Sequence, residues 1–140
     1  MPSELDHAPH LMLLVLEQKT DIGDALNEGA VSVLEEAGAS YETIPVKQAA
    51  DLAVAASFAA KSKNFDATIV LADLTNDLEQ FKVISVGLQQ IAIQANTSIA
   101  FGSVCDGKTE NAKLDGKQAA ESAMRLFAIK ARFNPRLNEA

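Results

Sequence analysis

Between the third predicted strand and the helix that follows it runs Leu71-Ala72-Asp73-Leu74-Thr75-Asn76-Asp77-Leu78-Glu79-Gln80, a stretch of carboxylates, amides and one hydroxyl. In an open parallel α/β sheet, ligands and reacting groups gather just beyond the carboxyl ends of the strands. Carboxylates there can move protons or repel anions, and amides can orient a bound group. The stretch has no His, Lys, Arg, Cys or Ser. It therefore offers neither a proton carrier poised near neutral pH nor a cation for a phosphate. Asp73, Thr75, Asn76, Asp77 and Gln80 are candidate pocket-lining residues. Gln18, Pro45 and Asp51, after the first two strands, and Lys113, before the last helix, are candidates for the other walls. No residue is assigned as catalytic.

Other chemistry-bearing residues are weighed in the same way. Asp73 after Ile69-Val70-Leu71-Ala72 superficially resembles the phosphoacceptor of a receiver domain. A receiver also needs an acidic pair after strand one and a Lys after strand five. This chain has Glu17-Gln18-Lys19 at the first place and no fifth strand, so a solvated loop carboxylate is the better reading. Cys105 has no His placed to activate it and reads as a bystander thiol. Asp6, His7 and His10 could hold a metal, but three ligands in a tail make a weak site, and no metal or cofactor is expected. Lys108, Lys113 and Lys117 could meet an anion at a helix N-terminus, although solvated lysines are the commoner case.

Composition narrows the class. At 140 residues, with tails at 1–9 and 134–140 expected to be loosely ordered, one domain is expected. A single Cys excludes an internal disulfide and fits a reducing compartment. The net charge of −7 opposes non-specific nucleic-acid binding, which needs a basic stripe. Aromatics are 5% with no Trp, so stacking platforms for bases are scarce. No apolar run approaches the ~20 residues that cross a bilayer, and the acidic opening lacks the basic start of a signal peptide. A cytoplasmic protein without membrane or nucleic-acid partners is expected.

Strand and helix patterns alternate along the chain. His10–Leu16 is a continuous apolar run, as a strand buried on both faces requires. Ile22, Ala25, Leu26, Gly29, Ala30, Val33, Leu34 and Ala37 recur at three- and four-residue steps, which predicts a helix from Asp21 ending at Gly38. Tyr41–Pro45 is a short second strand, and Ala50–Lys61 an Ala-rich, closely packed helix. Thr68–Ala72 is the third strand, and Phe81–Ala95 a helix turning Phe81, Ile84, Leu88, Ile91, Ala92 and Ala95 inward. Val83, Val86 and Ile93 lie off that stripe, and a second apolar face in so small a domain predicts contact with another subunit. Ser98–Val104 is the fourth strand, and Lys117–Arg132 a closing helix on Ala120, Ala123, Met124, Phe127 and Ala131. The order predicts right-handed crossovers and a three-layer α/β/α sandwich on a four-stranded parallel sheet.

Several of these segments resemble the 6,7-dimethyl-8-ribityllumazine synthase family, which makes the penultimate intermediate of riboflavin synthesis. They are Leu26-Asn27-Glu28-Gly29-Ala30, Leu34-Glu35-Glu36-Ala37-Gly38-Ala39, Phe65–Leu71, Ile99-Ala100-Phe101-Gly102, Thr109–Ala112 and Gly116–Ala120. The likeness runs from about Leu11 to Ala131 and rests on frame residues. It implies the family's fold and a homo-oligomer, a pentamer in the first instance, with closure into larger shells left open. It also implies what the pocket lacks. The family's stacking aromatic falls among Glu17, Gln18 and Lys19, where an amide replaces the ring. Of its Pro-Gly-Ala-Phe-Glu loop only Pro45, with Asp51 beyond it, has a counterpart. Its proton-carrying His falls at Gln80, its phosphate-binding Gly-x-Thr at Asp77-Leu78-Glu79, and its late Arg near Asp115. Gln80 cannot titrate, and unit charges at ~4 Å interact by about 4 kcal/mol at surface-like dielectric, so these carboxylates would repel a phosphate.

Three functions follow as expectations. The first is a homologue without lumazine synthase activity, acting as an assembly or a binder of an unrelated small ligand. The second is a working transferase of the riboflavin pathway with an atypical site. The third is a repurposed enzyme using Asp51, Asp73, Asp77 or Glu79 on a cationic or neutral substrate.

Overall fold

The computed structural model describes residues 8–133; Asp6 and His7, and nearly all of the two expected tails, lie outside them. Four parallel strands form one sheet in the order β2-β1-β3-β4, with β1 His10–Leu16, β2 Ser40–Val46, β3 Ala67–Asp73 and β4 Ser98–Val104. Helices α1 Asp21–Glu36 and α4 Ala112–Phe133 cover one face, and α2 Leu52–Ser62 and α3 Leu78–Ala95 cover the other. The expected three-layer sandwich is present.

The unbroken apolar run of β1 follows from this layering. Leu11 and Leu13 pack beneath α1 and α4, while Met12, Leu14 and Leu16 pack beneath α2 and α3. All seven residues of β3 are buried for the same reason. The outer strands differ: β2 is largely exposed, and Pro45 is tolerated there because an edge strand can spare an N–H.

Helix ends are set by local chemistry. Thr20 caps α1 by accepting the Gly23 N–H, and Gly38, at φ +73°, provides the left-handed residue just past its end. Helix α3 begins at Leu78, three residues before the apolar pattern predicts, because the Asp77 carboxylate accepts the Gln80 N–H. Residues Ala49–Asp51 make a separate 3-10 turn before α2. Helix α4 starts at Ala112 rather than Lys117 and runs straight through Gly116, a residue that looks like a helix breaker. The reason is a helix crossing: a Cβ on Gly116 would meet the Leu26 carbonyl oxygen at 2.0 Å, and one on Gly29 would meet the Lys113 carbonyl oxygen at 2.0 Å. The two glycines let α1 and α4 touch backbone to backbone. On α3 only Ile84 and Leu88 are fully buried, and Val83 and Ile93 are 65% and 73% exposed.

Candidate functional site

The strand order reverses between β1 and β3, because β2 lies outward of one and β4 outward of the other. The crevice beyond the carboxyl ends of these two strands is where an α/β sheet ordinarily takes its ligand. Gln18, just past β1, crosses this crevice. Its side-chain NH2 donates to the Asp73 carbonyl at 2.8 Å, and its side-chain oxygen accepts the Asp73 N–H at 3.0 Å. The amide thereby continues the sheet's ladder one step beyond the strand ends.

The Asp73 carboxylate, on a residue 9% exposed, is equally committed. Its Oδ2 accepts the Thr20 hydroxyl at 3.0 Å; its Oδ1 accepts the Thr75 N–H at 3.0 Å and the Thr75 hydroxyl at 2.5 Å. Thr20 therefore joins Asp73 to the start of α1. The rest of the loop is stitched inward. Leu74 N–H donates to Val104 O at 2.8 Å, Asn76 N–H to Cys105 O at 3.1 Å, and Asp77 N–H to Leu74 O at 2.9 Å. Every backbone N–H from Asp73 to Asp77 is thus engaged within the chain. An anion-binding nest needs successive N–H groups pointing at the ligand, and this loop presents none from those five residues.

The structure brings Gln18, Asp73 and Thr75 into direct contact and sets Asn76, Asp77 and Gln80 in the same loop and the first turn of α3. Pro45 lies exposed on β2 opposite Val15, and Asp51 lies exposed before α2. Lys113 is on the other face of the sheet, where its ammonium pairs with Glu28 of α1 at 3.2 Å. His10 opens β1 at the far end of the sheet. Its ring stacks on Phe65 and contacts Ser40 Oγ at 2.7 Å and Glu42 Oε2 at 3.1 Å. Cys105 stays a thiol: burial, followed by the nearby Asp106, Asp73 and Asp77 carboxylates, pushes its pKa up. Among the described residues no group of three His, Cys, Asp or Glu side chains could hold a metal ion.

A second concavity lies outside the crevice, along the free edge of β4. It is an open groove with a volume of about 330 Å3, and its walls include Phe81, Phe101, Ser103, Asp115 and Gln118. Phe81 and Phe101 stack with ring centroids 5.7 Å apart. Burial, and then Asp106, raises the Asp115 pKa above the usual carboxylate value. Nothing in local periodicity joins β4 residues to α4 residues, so this grouping was not legible in the sequence. Thr20 did carry a signal, as a Thr standing immediately before a helix.

Residues 9–131 match the family model for 6,7-dimethyl-8-ribityllumazine synthase. The chain belongs to this family. It is 30% identical to the 6,7-dimethyl-8-ribityllumazine synthase of Bartonella tribocorum, over 95% of this chain and 97% of that protein. The synthase of Bartonella bacilliformis is 28% identical over the same shares. Synthase 1 of Mesorhizobium japonicum is 26% identical over 91% of this chain and 88% of its own length. This member of the lumazine synthase family thus keeps the frame nearly end to end, while an amide clamp and a hydrogen-bonded carboxylate span its switch-point crevice. Among the described residues no helix is long and apolar enough to cross a membrane.

Proposed function

We propose that this lumazine synthase family member does not form 6,7-dimethyl-8-ribityllumazine and acts instead as a single-domain, homo-oligomeric, ligand-binding assembly. The observation that carries the reading is the internal use of all five N–H groups from Asp73 to Asp77. Condensing an amine with a phosphorylated ketone needs donors for the phosphate and a group that carries a proton near neutrality. The loop's donors are spent, its side chains are acids and amides, and Gln80 stands where the resemblance puts a His. The exposed Val83, Val86 and Ile93 of α3 support the assembly, which the resemblance makes a pentamer, in the cytoplasm.

The test is direct. Purified protein is supplied with the ribityl-aminopyrimidine diamine and butanone phosphate, and the fluorescence of lumazine product is followed. The expected result is no product above the buffer rate. Enzymatic turnover would establish the transferase reading instead.

A further inference from the structure

At the end of the sheet remote from the crevice, a hydroxyl, an imidazole and a carboxylate form one hydrogen-bonded chain. His10 Nδ1 lies 2.7 Å from Ser40 Oγ, and His10 Nε2 lies 3.1 Å from Glu42 Oε2. The pairing of β1 with β2 brings them together. In its parallel register His10 stands opposite Ser40 and Met12 opposite Glu42, and strand alternation turns His10, Ser40 and Glu42 to one face of the sheet. Helices α2 and α3 cover that face over Met12, Leu14 and Val46 but leave Ser40 and Glu42 exposed. His10 is also held from its other side. Its ring stacks on Phe65 with centroids 5.1 Å apart, its N–H donates to Asp66 Oδ2 at 2.8 Å, and the Asp66 N–H donates to His10 O at 2.7 Å.

The chemistry follows from the order of the groups. A carboxylate can only accept a hydrogen bond, so Glu42 selects the neutral imidazole tautomer that carries its proton on Nε2. Nδ1 then presents a lone pair to Ser40 Oγ, within the reach that a general base needs. A hydroxyl bonded to a base, which is in turn oriented by a third group, is the arrangement that activates a serine nucleophile. The sheet edge adds a donor for developing negative charge. Ser40 N–H donates to Pro9 O at 3.1 Å and Val46 O accepts Glu17 N–H at 2.7 Å, so the even-numbered residues of β2 turn their backbone groups toward β1. The N–H of Tyr41, immediately after the hydroxyl, therefore faces the free edge of the sheet, where it can donate to an oxyanion.

We propose that Ser40 is a nucleophile toward small activated esters, with His10 as its general base and Glu42 as the positioning residue that orients the ring. In the first step Ser40 Oγ bonds to the acyl carbon and its proton passes to His10 Nδ1. The bond from the acyl carbon to the alcohol oxygen then breaks, and the departing alcohol takes that proton. In the second step water attacks the acyl-Ser40 ester, gives a proton to His10 Nδ1, and releases the carboxylic acid as Ser40 Oγ recovers its hydrogen. With one backbone donor for the oxyanion the second step is the slower, so the acyl group accumulates on Ser40. The activity goes beyond the reading of the chain as a ligand-binding assembly and does not rest on it, because these residues lie at the opposite ends of the strands from the crevice.

The test treats the full chain with p-nitrophenyl acetate at neutral pH, follows release of p-nitrophenolate, and locates the acetyl group by peptide mass mapping after an acid quench. The expected result is a burst of p-nitrophenolate, with Ser40 acetylated before any other serine or any lysine. This arm uses the unaltered protein and needs no variant to fold. Ser40→Ala should abolish the burst. His10→Phe, which keeps a ring against Phe65, should slow acetylation of Ser40 about 100-fold, the low end of what a general base supplies. Glu42→Gln should slow it about tenfold and Glu42→Asp should recover part of the rate, a pattern that loss of a merely structural contact would not produce. Acetyl groups on lysines or on His10 in preference to Ser40, a burst that survives Ser40→Ala, or an unchanged rate at Ser40 in a folded His10→Phe protein would each overturn the proposal. Lumazine turnover bears only on the functional reading above, so failure of one proposal is distinguishable from failure of the other.

Discussion

Gln18 and Asp73 share one arrangement: a side-chain amide satisfies both backbone polar groups of a residue at the mouth of the sheet. Removing that amide leaves an N–H and a C=O without partners in a nearly buried place, which costs about 1–3 kcal/mol per unsatisfied group. Gln18→Ala should therefore lower the urea midpoint by an amount corresponding to at least about 1 kcal/mol; an unchanged midpoint would show that water replaces the clamp without loss. Asp115 acts in the opposite sense. Its folded-state pKa is raised by burial and by Asp106, so its contribution to stability is present at low pH and is lost as pH rises through that raised value. Asp115→Asn does not titrate. It should match the parent near pH 4 and unfold at higher urea than the parent at pH 7, measured without added ligand. A gap of the same size at both pH values would count against the carboxylate as its source.

At the scale of elements, the crossing of α1 on α4 is the contact least tolerant of added volume. Gly29 and Gly116 each face a carbonyl oxygen where a Cβ would sit 2.0 Å away, so either substitution by Ala must push the helices apart. Gly29→Ala and Gly116→Ala should each cost about 1–3 kcal/mol or more, the usual penalty of overpacking. Gly38 is a useful contrast, because it has open space around it and its requirement is only the positive φ. Gly38→Ala should cost about 1–2 kcal/mol through backbone strain alone. Thermal melts of the three variants would separate the two causes: a smaller fall for Gly29→Ala and Gly116→Ala than for Gly38→Ala would contradict the crossing argument. The helix pattern identified Gly38 correctly as an end signal. It misread Gly116 as lying outside a helix, because the advantage of a missing Cβ there depends on a partner helix far away in the chain.

At the scale of the whole molecule, a large apolar area is exposed among the described residues. Beside Val83, Val86 and Ile93 of α3, the groove between α3 and α4 has a volume of about 860 Å3 and exposes Leu126, Ile129 and Phe133 along the unpaired edge of β4. Exposed apolar patches of this kind are characteristic of contact surfaces. On the proposed homo-oligomeric reading, the double variant Val83→Lys and Ile93→Lys should shift the light-scattering mass toward that of a monomer while leaving the helix signal intact. A mass unchanged by both charges would move the contact away from this face of α3.

The alternation of apolar runs with helical stripes was enough to determine four parallel strands, four helices and two covered faces, because burial on both sides imposes continuous hydrophobicity on β1 and β3. Frame residues were likewise enough to reveal the family. Hydrogen-bond commitment was decided only in three dimensions. The sequence supplies an Asp, two Thr and a Gln as separate polar residues. Only the adjacency of β1 and β3 makes them one closed cluster, and only the packing of α4 on β4 gives Asp115 an aromatic wall. Local periodicity is written in near neighbours, whereas which donor meets which acceptor depends on residues some fifty positions apart, brought together by the tertiary fold.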